Sequence, residues 1–250
     1  MEFVKEFAIF LHQKGIIKFG EFILASGKKS SYYVDLRLVP SYPHEFRKMV
    51  KYLENEIAQN IGLDNFDSIV SIPTGGLVIA SALAIETVKP LIYVRSKPKD
   101  YGTSKSVEGK IHDGMKAVMI EDVATTGGSV VNAIKSLKEV NISVKDAYVI
   151  VNRIEGADQA LSELGVNMHS ILDILQITEA LYEQNLVDEN VLEKVKTQIN
   201  KWISAAQTNA FQSPFRYNSD SSLRPMNFGL AYFKTNGKDM DPKGFRIFYF

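Results

Sequence analysis

The sequence predicts an α/β fold, with a largely parallel twisted sheet flanked by helices, and three observations predict it. Short, near-continuous apolar runs at 69–72, 91–94, 117–120 and 147–151 have the length and composition of strands buried on both faces. Segments with helical spacing alternate with these runs, near 77–86 and again through Val130, Val131, Ile134 and Leu137. Such alternation builds right-handed βαβ units and therefore parallel strands. The third observation is local: the run at 117–120 leads into two adjacent carboxylates, Glu121 and Asp122, and then into a small-residue turn. In an open α/β sheet, ligands bind beyond the carboxyl ends of the strands, where this segment falls.

The remaining elements follow from spacing. Phe3, Phe7, Phe10 and Leu11 share one face of a first helix, and Phe46, Met49, Val50, Leu53 and Ile57 one face of a second. Asp188 is placed to cap a late helix whose apolar face carries Val191, Leu192, Val195, Ile199 and Trp202. From about residue 206 the texture changes to aromatics, Ser, Asn and Pro without a helical period. The expected organisation is one domain over 1–205 and an extension over 206–250 of unknown role. Within the extension, 230–235 and 245–250 can pair as a hairpin around Asn236-Gly237, across a long connection.

Composition excludes several function classes. Lys plus Arg equals Asp plus Glu, 29 each, so no global charge argues for nucleic acid. There is no cysteine, which removes disulfides, thiolate catalysis and cysteine-based zinc sites. No pair among the four histidines has the spacing of a helical metal motif. The N-terminus breaks its apolar residues with charge, and no run approaches the length of a membrane span, so neither membrane nor signal peptide is expected. A soluble, cytoplasmic protein is the resulting expectation. Neither G-x-G-x-x-G nor G-K-[ST] occurs, so the dinucleotide and nucleoside-triphosphate fingerprints are missing.

The turn after the carboxylates reads Thr125-Thr126-Gly127-Gly128-Ser129 and opens a helix. Glycines admit a phosphate close to the backbone, hydroxyls add donors, and a helix N-terminus adds unpaired N–H groups and a positive dipole end. A carboxylate pair would repel a phosphate, so Glu121 and Asp122 suit sugar hydroxyls or a metal. The combination suits a phosphorylated sugar. Residues 117–129 resemble, position by position, the phosphoribosyl pyrophosphate (PRPP) motif of the type I phosphoribosyltransferases. That resemblance implies the fold of that family, with a small hood built from about 1–40 and the C-terminal helices. It implies ribose binding by Glu121 and Asp122, and 5′-phosphate binding by Thr125, Thr126, Gly127, Gly128 and Ser129. Pro73-Thr74-Gly75-Gly76, between a strand and a helix, is a second candidate anion loop, assigned to pyrophosphate through Thr74 and Gly75.

Further segments resemble the orotate-specific members. Residues 19–37 (FGEFILASGKKSSYYVDLR) are similar to their N-terminal signature, and 95–103 (RSKPKDYGT) to their mobile catalytic loop. Asn152-Arg153 follows a strand, where the family places an arginine that reads the orotate carboxylate. The chemistry is self-consistent: orotate is a flat anion, for which Arg153 offers a bidentate fork, Tyr33 a wall and Thr125 a donor. Residues 95–116 hold six cations and three carboxylates, with glycines at 102, 109 and 114 that would let the segment move. The resemblance makes this segment a lid over the neighbouring subunit's site in a homodimer. Lys99 is then the leading catalytic cation, Arg95 a pyrophosphate ligand and Tyr101 a further PRPP contact, with Asp122 completing the catalytic set. Magnesium is expected to arrive on PRPP, with no direct protein ligand assigned.

The sequence also departs from the better-known bacterial pattern, which has lysines where Ala25, Gly75 and Ser96 stand and commonly a histidine at Tyr101. Lys28, Lys29 and Lys97 lie near but unaligned. Two other readings of the same fold stay open: a phosphoribosyltransferase for another base, and a PRPP-sensing regulator.

Overall fold

The computed structural model describes residues 2–24, 27–95, 106–211, 232–233 and 246–247, with the backbone alone from 205 onward. In chain order the elements are α1 (Glu2–Gln13), β1 (Ile17–Ile23), β2 (Lys29–Val34), a 3-10 helix (Leu36–Ser41), α2 (Pro43–Asn60), a short 3-10 turn (Leu63–Asn65), β3 (Ser68–Ser71), α3 (Gly75–Thr87), β4 (Leu91–Val94), β5 (Val107–Glu108), β6 (Lys116–Ala124), α4 (Gly128–Glu139), β7 (Ser143–Asn152), α5 (Ala157–Ser162), β8 (Asn167–Asp173), α6 (Ile174–Glu183), α7 (Glu189–Phe211), β9 (Tyr232–Phe233) and β10 (Arg246–Ile247). Residues 1–211 form one compact unit and 212–250 another. In the second unit β9 and β10 pair antiparallel, Tyr232 opposite Ile247 and Phe233 opposite Arg246.

The main sheet has the order β5-β4-β3-β6-β7-β8. All neighbours are parallel except β5, which runs antiparallel along the edge of β4. Alternating side chains of the central strands feed two cores, as a sheet covered on both faces requires. Ile69, Val118, Ile120, Tyr148 and Ile150 join the core formed with α1, α2, α3, α6 and α7. Val70, Ala117, Met119, Val144 and Ala147 join the core under α4 and α5. The period-3.6 stripes predicted for α1, α2 and α4 are the buried ones.

Above the sheet, β1 and β2 form an antiparallel hairpin whose β2 lies against α7. Asp188 caps the start of α7 by accepting from the Val191 N–H at 2.9 Å. Asp173 and Gln176 form a reciprocal capping box that starts α6 directly from the end of β8. Among the described residues no helix is long and apolar enough to cross a membrane.

One boundary differs from the sequence expectation in a way that matters. The strand expected at 117–120 runs on to Ala124, so Glu121 and Asp122 lie within it rather than after it. β6 continues to pair with β7 through Glu121–Val149, Val123–Val151 and Ala124–Asn152. Hydrogen bonding to β7 holds the backbone extended where side-chain hydrophobicity has already stopped.

Leu53 of α2 is fully buried in the core that α1, α2 and α3 share with one face of the sheet. Leu53→Ala should lower the unfolding free energy by about 2–5 kcal/mol through lost burial and the cavity left behind. Urea denaturation of the two proteins measures this directly.

Candidate functional site

The cleft opens where the sheet order reverses. From β3 the chain proceeds to β4 on one side, and from β6 to β7 on the other, so β3 and β6 flank a topological switch point. There the two following helices leave on opposite faces and a crevice forms at the strand ends. β3 pairs with β6 only as far as Ser71–Ile120. Beyond that register β3 gives way to the 73–76 loop, whose Pro73–Thr74 peptide is cis, and β6 continues alone on that side. A cleft of about 490 Å³ results. Its walls are 34–37, 72–75 and 121–130, so Thr74, Gly75, Glu121, Asp122, Thr125, Thr126, Gly127, Gly128 and Ser129 all line it.

Glu121 and Asp122 sit against the first turn of α3. A Cβ on Gly75 would stand 1.8 Å from Asp122 Oδ2, and one on Gly76 would stand 2.8 Å from both Glu121 Oε1 and Ser71 Oγ. The glycines are therefore the space in which the carboxylates rest, and a side chain at position 75 cannot coexist with Asp122 as placed. Glu121 is buried, and its Oε1 accepts from the Asp122 N–H at 3.0 Å. Burial first, then a side-chain hydrogen bond with Asp122 and that neighbour's charge, push the Glu121 carboxyl well above its ordinary range.

The opposite wall is the turn into α4. Gly127 adopts φ +75° and its α-carbon side approaches Ala157, where a Cβ would stand 3.2 Å from the Ala157 Cα. Conformation and space both demand glycine there. The first N–H groups of α4, from Gly128, have no intrahelical acceptors by helix geometry and border the cleft with the hydroxyls of Thr125, Thr126 and Ser129.

The third wall comes from the end of β2 and the start of the 3-10 helix that follows it, and contains residues to which the sequence pattern assigned no role. Asp35 accepts from Arg37 Nε at 2.6 Å and Nη2 at 2.8 Å, and from the Arg37 backbone N–H at 3.3 Å. Arg37 Nη2 also donates to the Tyr33 hydroxyl at 3.4 Å. The D-x-R spacing at the end of the 19–37 segment was the signal available for this pair.

Arg153 is not part of this cleft's lining. It is buried, with its guanidinium 4.6 Å from the centre of the Tyr32 ring. Its Nε donates to Glu155 at 2.7 Å and its Nη2 to Ser30 Oγ at 3.2 Å. Ser30 Oγ accepts as well from Gln198 Nε2 of α7 at 3.3 Å and donates to the Tyr32 carbonyl at 2.7 Å. The ring packed on Arg153 is thus that of Tyr32, whereas Tyr33, named from the sequence, is half-buried and contacts Arg37 and Phe22. Burial raises the Tyr32 phenol beyond its usual range, so it stays protonated and donates to the Arg153 carbonyl at 3.3 Å. Ser30, Glu155 and Gln198 carried no signal in the sequence, because their importance comes only from what they touch. Arg95 stands at the edge of the sheet, paired with Glu108 at 3.3 Å. Lys99, Tyr101, Ala25 and Ser96 lie outside the described residues.

Residues 44–163 match the phosphoribosyl transferase domain family. The chain is 47% identical over 196 residues to the orotate phosphoribosyltransferase of Cenarchaeum symbiosum, covering 78% of this chain and 98% of that one. The chain belongs to the orotate phosphoribosyltransferase family. The enzyme of that name from Staphylothermus marinus is 37% identical over 79% of this chain and 95% of its own length. Among solved structures, the orotate phosphoribosyltransferase of Aeropyrum pernix superposes with a TM-score of 0.63 at 32% identity, over 72% of this chain and 99% of that one. Leishmania donovani UMP synthase superposes with a TM-score of 0.69 at 29% identity, over 79% of this chain and 42% of that larger one.

The raised carboxyl of Glu121 has a consequence for stability. The unfolded chain loses this proton near pH ~4.3, whereas the folded protein holds it to higher pH. Between those two values the native state binds more protons than the unfolded one, so this group makes stability fall as pH rises. Urea denaturation across pH 4–8 should give a less negative slope for Glu121→Gln than for the natural protein, and equal slopes would refute the assignment.

Proposed function

We propose that this chain transfers the phosphoribosyl group of PRPP to orotate, giving orotidine 5′-monophosphate and pyrophosphate in pyrimidine biosynthesis. The observation that carries the reading is the joining, in one cleft at the switch point, of the Glu121–Asp122 pair with the hydroxyl- and glycine-rich start of α4. A ribose 5-phosphate spans those two walls, its hydroxyls toward the carboxylates and its phosphate on the α4 N-terminus. The loop around Thr74 and Gly75, which borders the same cleft, is assigned to the pyrophosphate.

The reaction breaks the bond between ribose C1 and a pyrophosphate oxygen, which keeps the electron pair, while orotate N1 bonds to C1. An oxocarbenium-like transition state needs no nucleophilic side chain. It needs counter-charge on the leaving group and protection from water. Arg95 and the lid cations Lys99 and its neighbours are assigned to the first task, with Tyr101 beside them. For the base, support comes from Arg153: Glu155 and Ser30 engage Nε and one Nη, so the fork is oriented while donors remain for a carboxylate. Thr125 and Tyr33 keep their assignment to the orotate side.

Magnesium fits the cleft as an ion carried in by the substrate. Among the described residues no three ligating side chains converge, while Glu121 and Asp122 give the cleft an edge that favours positive charge. When bound, the ion neutralises part of the pyrophosphate charge. A homodimer is supported by α3, which is largely apolar and leaves Val78 and Ile85 exposed, as is Val88 at its C-cap. We place the enzyme in the cytoplasm, with the lid shared between subunits; of the 206–250 extension, 206–211 continue α7 and 212–250 form the second unit.

Orotate absorbance should fall only when protein, PRPP and magnesium are all present, and adenine, hypoxanthine and uracil should not be consumed. Lys99→Ala should slow turnover by about 10²–10³-fold. Consumption of another base instead of orotate would overturn the substrate assignment. Arg153→Lys keeps a charge beside Glu155 but loses the planar fork; it should raise the KM for orotate by about 10–100-fold and leave that for PRPP nearly unchanged. Initial-rate measurements with each substrate varied in turn separate the two constants.

A further inference from the structure

The cleft that must receive a polyanion is acidic. Asp35, Glu121 and Asp122 line it, and Arg37 is the only lysine or arginine among its described lining residues. The 73–76 loop carries no cationic side chain, and at Gly75 none could be accommodated while Asp122 Oδ2 occupies the Cβ position. Counter-charge for a pyrophosphate on that loop therefore has to come from another element. The 3-10 helix that carries Arg37 packs on α3, whose first turn is this loop.

Arg37 is arranged as a ligand-binding cation rather than as a loose surface charge. Its Nε and Nη2 grip both oxygens of Asp35, and Nη2 reaches Tyr33. These contacts use three of the five N–H donors and leave the pair on Nη1 for a ligand. Asp35 is itself tied down, its N–H donating to the Ile16 carbonyl at 2.9 Å. The side chain remains 59% exposed, so a substrate can reach it. Asp35 first, and more weakly the charge of Asp122 lodged against Gly75, hold the Arg37 guanidinium in its charged form.

We propose that Arg37 binds the pyrophosphate of PRPP from the hairpin side of the cleft, and supplies, at the mouth of the 73–76 loop, the positive charge that the loop itself cannot carry. The proposal rests on the phosphoribosyl-transfer reading above. As the C1–O bond breaks, the leaving oxygen gains the electron pair, and a guanidinium held in place compensates that charge without reorganising.

The test is kinetic and runs in both directions on the full chain. In the reverse direction, from orotidine 5′-monophosphate and magnesium pyrophosphate, Arg37→Gln should raise the KM for pyrophosphate at least about tenfold and leave that for the nucleotide unchanged. In the forward direction it should lower kcat by about 10²–10³-fold, as for loss of one transition-state donor, with the KM for orotate unchanged. Arg37→Lys should recover part of kcat, and Asp35→Asn, which keeps the charge but releases its orientation, should fall between. Melting temperatures of the variants, expected to match the natural protein, exclude a folding defect. Unchanged pyrophosphate affinity, or a shift confined to the orotate KM, overturns the assignment of Arg37. Natural protein inactive in both directions overturns the phosphoribosyl-transfer reading instead.

Discussion

The site depends on one packing constraint: the Glu121 and Asp122 carboxylates fit only because the first turn of α3 has no side chains. Gly75 and Gly76 leave the volume that Asp122 Oδ2 and Glu121 Oε1 fill. This contact fixes how close α3 sits to β6, and so fixes the mouth of the cleft between β3 and β6. It also places two acidic groups beside a helix N-terminus, the end whose partial positive charge favours them. Elsewhere the same glycines would weaken a helix by about 1 kcal/mol each. Here the helix begins with them because the carboxylates of β6 need the space.

That constraint sets the electrostatics of the rest of the cleft. A buried Glu121 beside Asp122 disfavours a second negative charge, so Glu121 holds its proton more tightly than an ordinary glutamate. A ligand bringing hydroxyl donors and a cation favours the ionised form, and binding is thereby coupled to proton release. Around the carboxylates the cleft presents the backbone N–H groups that start α4, the glycine loop packed directly against Glu121 and Asp122, and Arg37. On the proposed reading the acids face the sugar, while N–H groups and the guanidinium face phosphate.

Much of this was legible in the sequence, for a physical reason. Two-sided burial makes β3, β6 and β7 near-continuous apolar runs, and the turn at 125–129 needs small residues wherever it occurs, so both leave a compositional mark. The end of β6 was not legible, because hydrogen bonding to β7 extends the strand across polar residues. β8 went unread since its Asn167, His169 and Ser170 alternate weakly at the sheet edge, although His169 pairs with Asp146 at 2.9 Å. α6 went unread as well, although it carries both the Asp173–Gln176 capping box and an apolar stripe at Ile174, Ile177 and Leu181. Within the site, residues read from a contiguous motif fell together in the cleft. Those that act through distant contacts, such as Gln198 on Ser30 across 168 positions of chain, leave no pattern for a single sequence to show.

Arg153 makes the same point in energetic terms. A buried guanidinium is tolerable only when its charge and donors are matched, and Glu155, Ser30 and the Tyr32 ring do so from two parts of the chain. Glu155 is reached locally because Ile154 between them adopts φ +56°, a conformation that disfavours a β-branched residue. The backbone cost of that turn, on the order of 1–3 kcal/mol, is offset by pairing two charges that would otherwise be buried alone. Ser30 joins this pair to Gln198, and through it to α7, so the hairpin, the last helix and the end of β7 share one polar cluster. An arginine held this way is oriented before any ligand arrives, and that orientation rests on the packing of the hairpin and α7 as much as on the arginine itself.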